Sequence, residues 1–204
     1  NFCALSTAKG MIVKMKKKKN WYDYLWITSA LYLVLGFVNI LFAWLGIICF
    51  IVPLVIAATK GNKAYCNKYC GRGQLFELLG NQLNLSRKKD IPGFLRTKWF
   101  RFLVFFLAMF MNMVFSTYLV LEGTRGLKAI VTLLWSIKLP WHWAYTGNTV
   151  SPWVAQFAFG FYSMMLTSTV LGMFTMALYK PRSWCVYCPM GTMTQGICKM
   201  KHHK

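Results

Sequence analysis

The chain has very few acidic residues. Only four of its 204 residues are Asp or Glu, against 24 Lys or Arg, which gives a formal net charge of +20. Histidine is also scarce, with three residues. A Ser-His-Asp catalytic set, or a carboxylate relay that moves protons through a membrane, has too few groups available here. The scarcity argues against hydrolytic and proton-pumping enzymes.

The composition is instead that of a membrane protein, with 57% hydrophobic and 17% aromatic residues and a mean hydropathy of +0.43. A spanning helix needs about 20 apolar residues to cross roughly 30 Å of hydrocarbon. By this measure we predict an all-α membrane protein with four transmembrane helices, arranged as two tandem helical hairpins. No histidine falls within them, which argues against a bis-His haem. The predicted spans are Trp21–Asn39, Ala43–Thr59, Trp99–Leu121 and Trp153–Tyr179.

The basic residues indicate the orientation of these spans, because Lys and Arg near span ends stay on the cytoplasmic side. They cluster in three segments, 1–20, 60–101 and 180–204, and four spans place all three segments on one side. We therefore predict a multi-pass protein of a prokaryotic cytoplasmic membrane with both termini inside. Clustering at span ends indicates contact with anionic membrane lipid and argues against nucleic acid.

The whole chain, 1–204, is predicted to be a single membrane domain with a repeated unit. Each helical hairpin is followed by a cytoplasmic Tyr-Cys-x-x-Gly turn, at Tyr69–Gly73 and at Tyr187–Gly191. Tandem repeats in one orientation relate by an axis along the membrane normal, so the two turns meet at the inner surface. The predicted segments are a basic arm 1–20, hairpin one 21–59, a cytoplasmic loop 60–97, hairpin two 98–179 with an outer interfacial segment 122–152, and a tail 180–204.

Two cysteine pairs carry the chemistry in these turns. Four cytosolic thiols in short pairs favour metal over disulfides, and Cys66, Cys70, Cys185 and Cys188 are the candidate ligands. Zinc in a closed four-cysteine site is one alternative, and it would clip the halves together in a structural or assembly protein. An iron–sulfur cluster is favoured by Pro189 after a cysteine and by the nearby glycines. Lys68 and Arg72 would offset the thiolate charge and raise the reduction potential.

The Cys188-Pro189-Met190-Gly191 sequence, the second such turn and the four flanking spans resemble the membrane iron–sulfur proteins of the NapH/NosR type. The resemblance covers about Trp21 to Cys198 and implies an iron–sulfur cluster in an electron-transfer subunit; [4Fe-4S] is the favoured type, and [2Fe-2S] stays an alternative. The family's usual Cys-x-x-x-Cys-Pro turn is altered here, because Gly71 replaces proline in the first half and the second half is one residue shorter. The chain is expected to be a minimal form without the C-terminal ferredoxin domain.

Three other cysteines have simpler interpretations. Cys49 is expected to be a small buried hydrophobe, Cys3 lies in an arm without a predicted role, and Cys198 is an additional candidate ligand. In the outer segment, apolar residues at helical spacing from Leu127 to Leu139 predict a flat interfacial helix. A quinone pocket that uses His142 is an alternative for this segment.

These observations predict a non-catalytic electron-transfer subunit of an oxidoreductase complex. It would hold one cluster at the cytoplasmic face and relay electrons to a membrane or extracytoplasmic redox partner. The expected partners are a ferredoxin-like donor and a flavin or haem acceptor, because a centre at the inner face cannot alone carry electrons across the bilayer.

Overall fold

The computed structural model describes residues 21–60, 65–87, 89–97, 99–100, 102, 108–134, 136–141, 143 and 150–202, and within them the chain is mostly helical. The α-helices of this part are α1 Leu25–Val38, α2 Ile48–Lys60, α3 Gly71–Gln82, α4 Ala108–Leu121, α5 Pro152–Leu178, α6 Trp184–Tyr187 and α7 Pro189–His202. Shorter elements are the 3-10 turns Trp21–Tyr24, Ile40–Ile47 and Gly93–Arg96, a π turn Tyr65–Tyr69, and strands β1 Thr132–Leu133 and β2 Ile137–Lys138.

Three helical segments in the described part are long and apolar enough to cross a membrane. They are Trp21–Val38, Ile40–Thr59 and Pro152–Leu178. These bounds agree to within three residues with three of the four predicted spans, so the membrane character of the chain is supported. The remaining predicted span, Trp99–Leu121, is described as a helix mainly over its C-terminal part, α4, and most of residues 98–107 lie outside the described residues. The fourth span stays a prediction.

The long apolar run between residues 24 and 59 is divided at Asn39. Asn39 has an extended backbone, with φ −145° and ψ 124°, and its side chain accepts a hydrogen bond from the Leu41 amide at 3.0 Å. This cap begins the 3-10 segment Ile40–Ile47, which leads directly into α2. Across the break, the Tyr32 hydroxyl donates to the Ala43 carbonyl at 3.3 Å. A single residue therefore separates the first two apolar helices.

Helix α5 is the central element of the fold. It contributes side chains to buried clusters near its N-terminal end, its middle and its C-terminal end, whereas α1, α2 and α4 leave many large apolar side chains exposed. Exposed apolar faces of this kind fit a lipid environment. The α5 residues in the three clusters are Ala158, Phe159 and Tyr162, then Phe161 and Met165, and finally Met176.

The outer segment does not form the predicted interfacial helix, and this prediction is wrong. Its described residues make a small hairpin in which β1 pairs antiparallel with β2 and the Leu139 amide donates to the Val131 carbonyl at 3.1 Å. Three of its backbone amides donate to side chains on α5 instead of to a helix of their own. These bonds are Lys128 to Gln156 at 2.9 Å, Thr132 to Ser163 at 3.1 Å and Leu134 to Thr167 at 3.3 Å.

The acceptors of these bonds follow one another along α5, so the hairpin runs beside the helix. Ser163 and Thr167 lie within the candidate span Pro152–Leu178. Non-helical backbone beside a membrane span is tolerated where protein groups satisfy its amides, as the α5 side chains do here.

Candidate metal centre

The first cysteine pair lies where the π turn Tyr65–Tyr69 leads into α3. Cys66 is within the turn, and Cys70 is the N-cap of α3. The Cys70 sulfur accepts a hydrogen bond from the Gly73 amide at 3.4 Å. The Cys70 sulfur thereby satisfies one of the free amides at the N-terminus of α3.

The second pair repeats this arrangement. Cys185 is in the short helix α6, and Cys188 directly precedes α7. The Gly191 amide donates to the Cys188 sulfur, as Gly73 does to Cys70. The Tyr-Cys-x-x-Gly repeat is therefore a structural repeat, in which cysteine caps a helix and glycine supplies the third amide.

The two pairs converge on one cavity of about 400 Å³, and all four of these cysteines line it. Contacts between the halves hold them there. The Cys66 sulfur lies 3.9 Å from the Thr194 hydroxyl of α7. A Cβ atom placed on Gly73 would lie 3.6 Å from both the Cys70 sulfur and the Cys185 sulfur. Thiols that are more than a hundred residues apart in the sequence thus line the same cavity.

Four thiols in one cavity can serve either a single zinc ion or a cubane cluster, and the two differ in size. In the described residues, no group of three or more His, Cys, Asp or Glu side chains is close enough to hold one ion. Tetrahedral zinc, with Zn–S bonds near 2.3 Å, would draw its four sulfurs to roughly 3.8 Å from one another. A cubane cluster is larger, because each cysteine binds a different iron. One cavity lined by four thiols provides the four cysteine ligands that a cubane cluster requires.

Burial sets the protonation of the second pair. It raises the pKa of Cys185 strongly and that of Cys188 to about 11, and the neighbouring thiols add to both shifts. The Gly191 amide and the Arg72 guanidinium act in the opposite direction on the pKa of Cys188. Metal binding must therefore displace protons, and the resulting thiolates need nearby donors and positive charge.

Two of the remaining cysteines differ from their predicted surroundings. Cys49 is exposed on α2 and lines the same cavity, so the prediction of a small buried hydrophobe is wrong. Cys198 is 1% exposed and disulfide-bonded, and it is not among the free thiols of the described residues. Cys3 and His142 lie outside the described residues.

Sequence reasoning missed the α5 residues that border the centre. Arg72 donates to the Ser168 hydroxyl and to the Met165 sulfur, both on α5. In the sequence, Ser168 belongs to the run Thr167-Ser168-Thr169, whose simplest interpretation is close helix packing. The indication in the sequence was this cluster of hydroxyls inside an apolar span that contains no charged residue.

The comparisons with known proteins agree with this geometry. The family model of the 4Fe-4S binding domain matches residues 42–92 and 162–204, and each matched stretch contains one of the two cysteine pairs. No curated protein and no solved structure matches the chain significantly. The match supports an iron–sulfur binding role and gives no support to the zinc alternative.

Proposed function

We propose that the chain is a membrane electron-transfer subunit of the NapH/NosR type that holds a single [4Fe-4S] cluster. The ligands would be Cys66, Cys70, Cys185 and Cys188. The observation that carries the proposal is the single cavity lined by all four thiols, two of them capping helices in the same way. The family match over both cysteine stretches supports the same assignment.

The bound cluster would supply one-electron redox chemistry. The chain's own residues fix the thiols and their charge: Gly73 and Gly191 donate amides to two sulfurs, and Gly73 leaves the space beside two sulfurs open. Buried Phe76 and Trp184, which pack near the second pair, keep water from that side. Such donors and burial set the potential of a cluster.

The orientation and partners are part of this proposal. The concentration of Lys and Arg in segments 1–20, 60–101 and 180–204 supports both termini and the centre on the cytoplasmic side of a prokaryotic membrane. Electrons would come from a ferredoxin-like donor and pass to a flavin or haem subunit at the outer face. A membrane quinone is an alternative acceptor, and anionic lipid would contact the basic segments.

The first experiment is anaerobic purification of the full chain in detergent, followed by iron, sulfide and zinc analysis. We expect four irons and four sulfides per chain, as a [4Fe-4S] cluster contains, a broad visible absorption and an EPR signal after reduction. A colourless protein with stoichiometric zinc would contradict the proposal and support the structural alternative. Two irons per chain would retain the electron-transfer function but replace the cluster type.

A further inference from the structure

Arg72 is fixed within the cysteine cavity by two hydrogen bonds to α5. Its Nη1 donates to the Ser168 hydroxyl at 2.6 Å, and its Nη2 donates to the Met165 sulfur at 2.8 Å. The residue belongs to the first turn of α3, two positions after Cys70, and it lines the same cavity as the four thiols. Neither of its acceptors is charged.

No carboxylate neutralises this guanidinium. The four acidic side chains of the chain all lie within the described residues, and the ion pairs found there join Glu77 to Arg182 and Asp90 to Lys180. Arg72 takes part in neither pair. A cation in an apolar cavity is costly unless an anion is nearby, and the groups in this cavity that become anionic are the cysteines.

Two other basic residues near the cysteines are in different situations. Lys68, in the π turn beside Cys66, is exposed, so water and salt screen its charge. Arg182 is bound to the Glu77 carboxylate, with its Nε 2.8 Å from one oxygen. Its charge lowers the pKa of Cys185, and the neighbouring carboxylate offsets part of that charge. The sequence makes these three cations look alike, whereas their contacts single out Arg72.

We propose that Arg72 contributes most to the electrostatic potential of the centre, with smaller contributions from Arg182 and Lys68. This inference rests on the proposed function, because it needs the four-thiolate cluster. Addition of an electron makes a cluster more negative, and a fixed positive charge favours that reduced state. Arg72 thereby raises the reduction potential, and Ser168 positions the guanidinium that does so.

The test is an EPR-monitored redox titration of the anaerobically purified full chain. We expect Arg72→Gln to lower the midpoint potential clearly, with Arg72→Lys in between because it retains the charge but not the fork of donors. The matched control Lys68→Gln should leave the potential close to that of the parent, and Arg182→Gln should lower it by less than Arg72→Gln does. The parent potential should also depend less on salt than one governed by an exposed charge would, since Arg72 is half-buried in the cavity.

A second variant covers the case in which Arg72→Gln fails to fold. Ser168→Ala keeps the charge and removes its anchor, so we expect a smaller fall in potential in the same direction. An unchanged potential in both Arg72→Gln and Ser168→Ala would overturn the inference, as would an equal fall in Lys68→Gln. A parent protein without any reducible cluster is a separate outcome, because it contradicts the proposed function itself.

Discussion

The turn Tyr69–Gly73 and the turn Tyr187–Gly191 have the same order of key residues but different surroundings. In both, a cysteine precedes a helix and accepts an amide from the glycine three positions on. The second turn packs in a buried cluster where Tyr187 is 3% exposed, whereas Tyr69 contacts rings near the start of α1. The two turns therefore hold their cysteines in the same way but pack differently against the rest of the protein.

This difference explains why proline follows the cysteine in only one turn. Proline is favoured at the first position of a helix, and Pro189 occupies that position in α7. In the first turn, a Cβ on Gly71 would lie 2.3 Å from the Leu25 carbonyl oxygen of α1. The close approach of α1 to α3 requires glycine there, so the absence of proline after Cys70 has a packing cause.

The largest expected effect comes from the ligands themselves. We expect Cys70→Ser and Cys188→Ser each to abolish the cluster, because the loss of either capping thiolate leaves a three-cysteine site. Iron per chain and the visible absorption measure this. Cys49→Ser is the matched control, since Cys49 lines the same cavity without capping a helix. Retention of an intact cluster in both capping variants would refute the shared site.

Exchanging the residues after the two cysteines tests the packing difference. Gly71→Pro should destabilise the fold by about 4 kcal/mol, because its ring meets backbone of α1. Pro189→Gly should cost only about 0.5–1 kcal/mol, mainly through greater freedom of the unfolded chain. Thermal midpoints in detergent measure both changes. Gly71→Ala separates the Cβ clash from the other effects of proline, and a neutral result for it would remove the packing explanation.

A substitution at Gly73, three positions after Cys70, should separate the effect on cluster binding from the effect on stability. An alanine methyl at Gly73 has ordinary contacts of 3.6 Å with two sulfurs, so the cluster-free protein should fold, but the methyl takes space beside both thiols. We expect Gly73→Ala to lower iron per chain without lowering the thermal midpoint of the cluster-free protein. Gly196→Ala, a helical glycine with nothing within 4 Å, should keep full iron and gain up to about 1 kcal/mol. Equal iron in both variants would argue against the proposed space requirement.

The smallest expected effect concerns the two tyrosines. Tyr187 donates to the Thr175 hydroxyl at 2.7 Å in a buried position, so Tyr187→Phe should cost about 1 kcal/mol. Tyr69→Phe keeps its ring contacts with Trp21 and Tyr22 and should change stability by less than about 0.5 kcal/mol. Denaturation of the two purified variants under one condition gives the comparison. A larger loss for Tyr69→Phe would reverse the assignment of the better-packed turn.

Much of the fold was predictable because hydrophobic length is a local property. The helices Trp21–Val38, Ile40–Thr59 and Pro152–Leu178 follow directly from uninterrupted apolar runs. The convergence of the cysteine pairs was also predictable, since the repeat and the distribution of positive charge both place the turns on one side. Their role as ligands stays a prediction that the cysteine variants test.

The features that were not predictable depend on contacts between distant segments. The apolar spacing from Leu127 to Leu139 is compatible with a helix, but Gln156, Ser163 and Thr167 offer acceptors that stabilise a hairpin instead. The Arg72 contact with Ser168 likewise spans 96 residues. A pattern of hydrophobicity in one segment does not record which polar groups another segment will present.

The hydroxyls of α5 also fix how that helix is turned about its own axis. Thr167 accepts from the outer hairpin, and the next residue, Ser168, accepts from Arg72 on a different side. Successive residues of an α-helix point about 100° apart, so a shift of α5 by one residue would break both bonds at once. These two bonds fix the rotation of α5 about its axis and its position along that axis. One helix therefore holds the outer segment and the cysteine cavity in register.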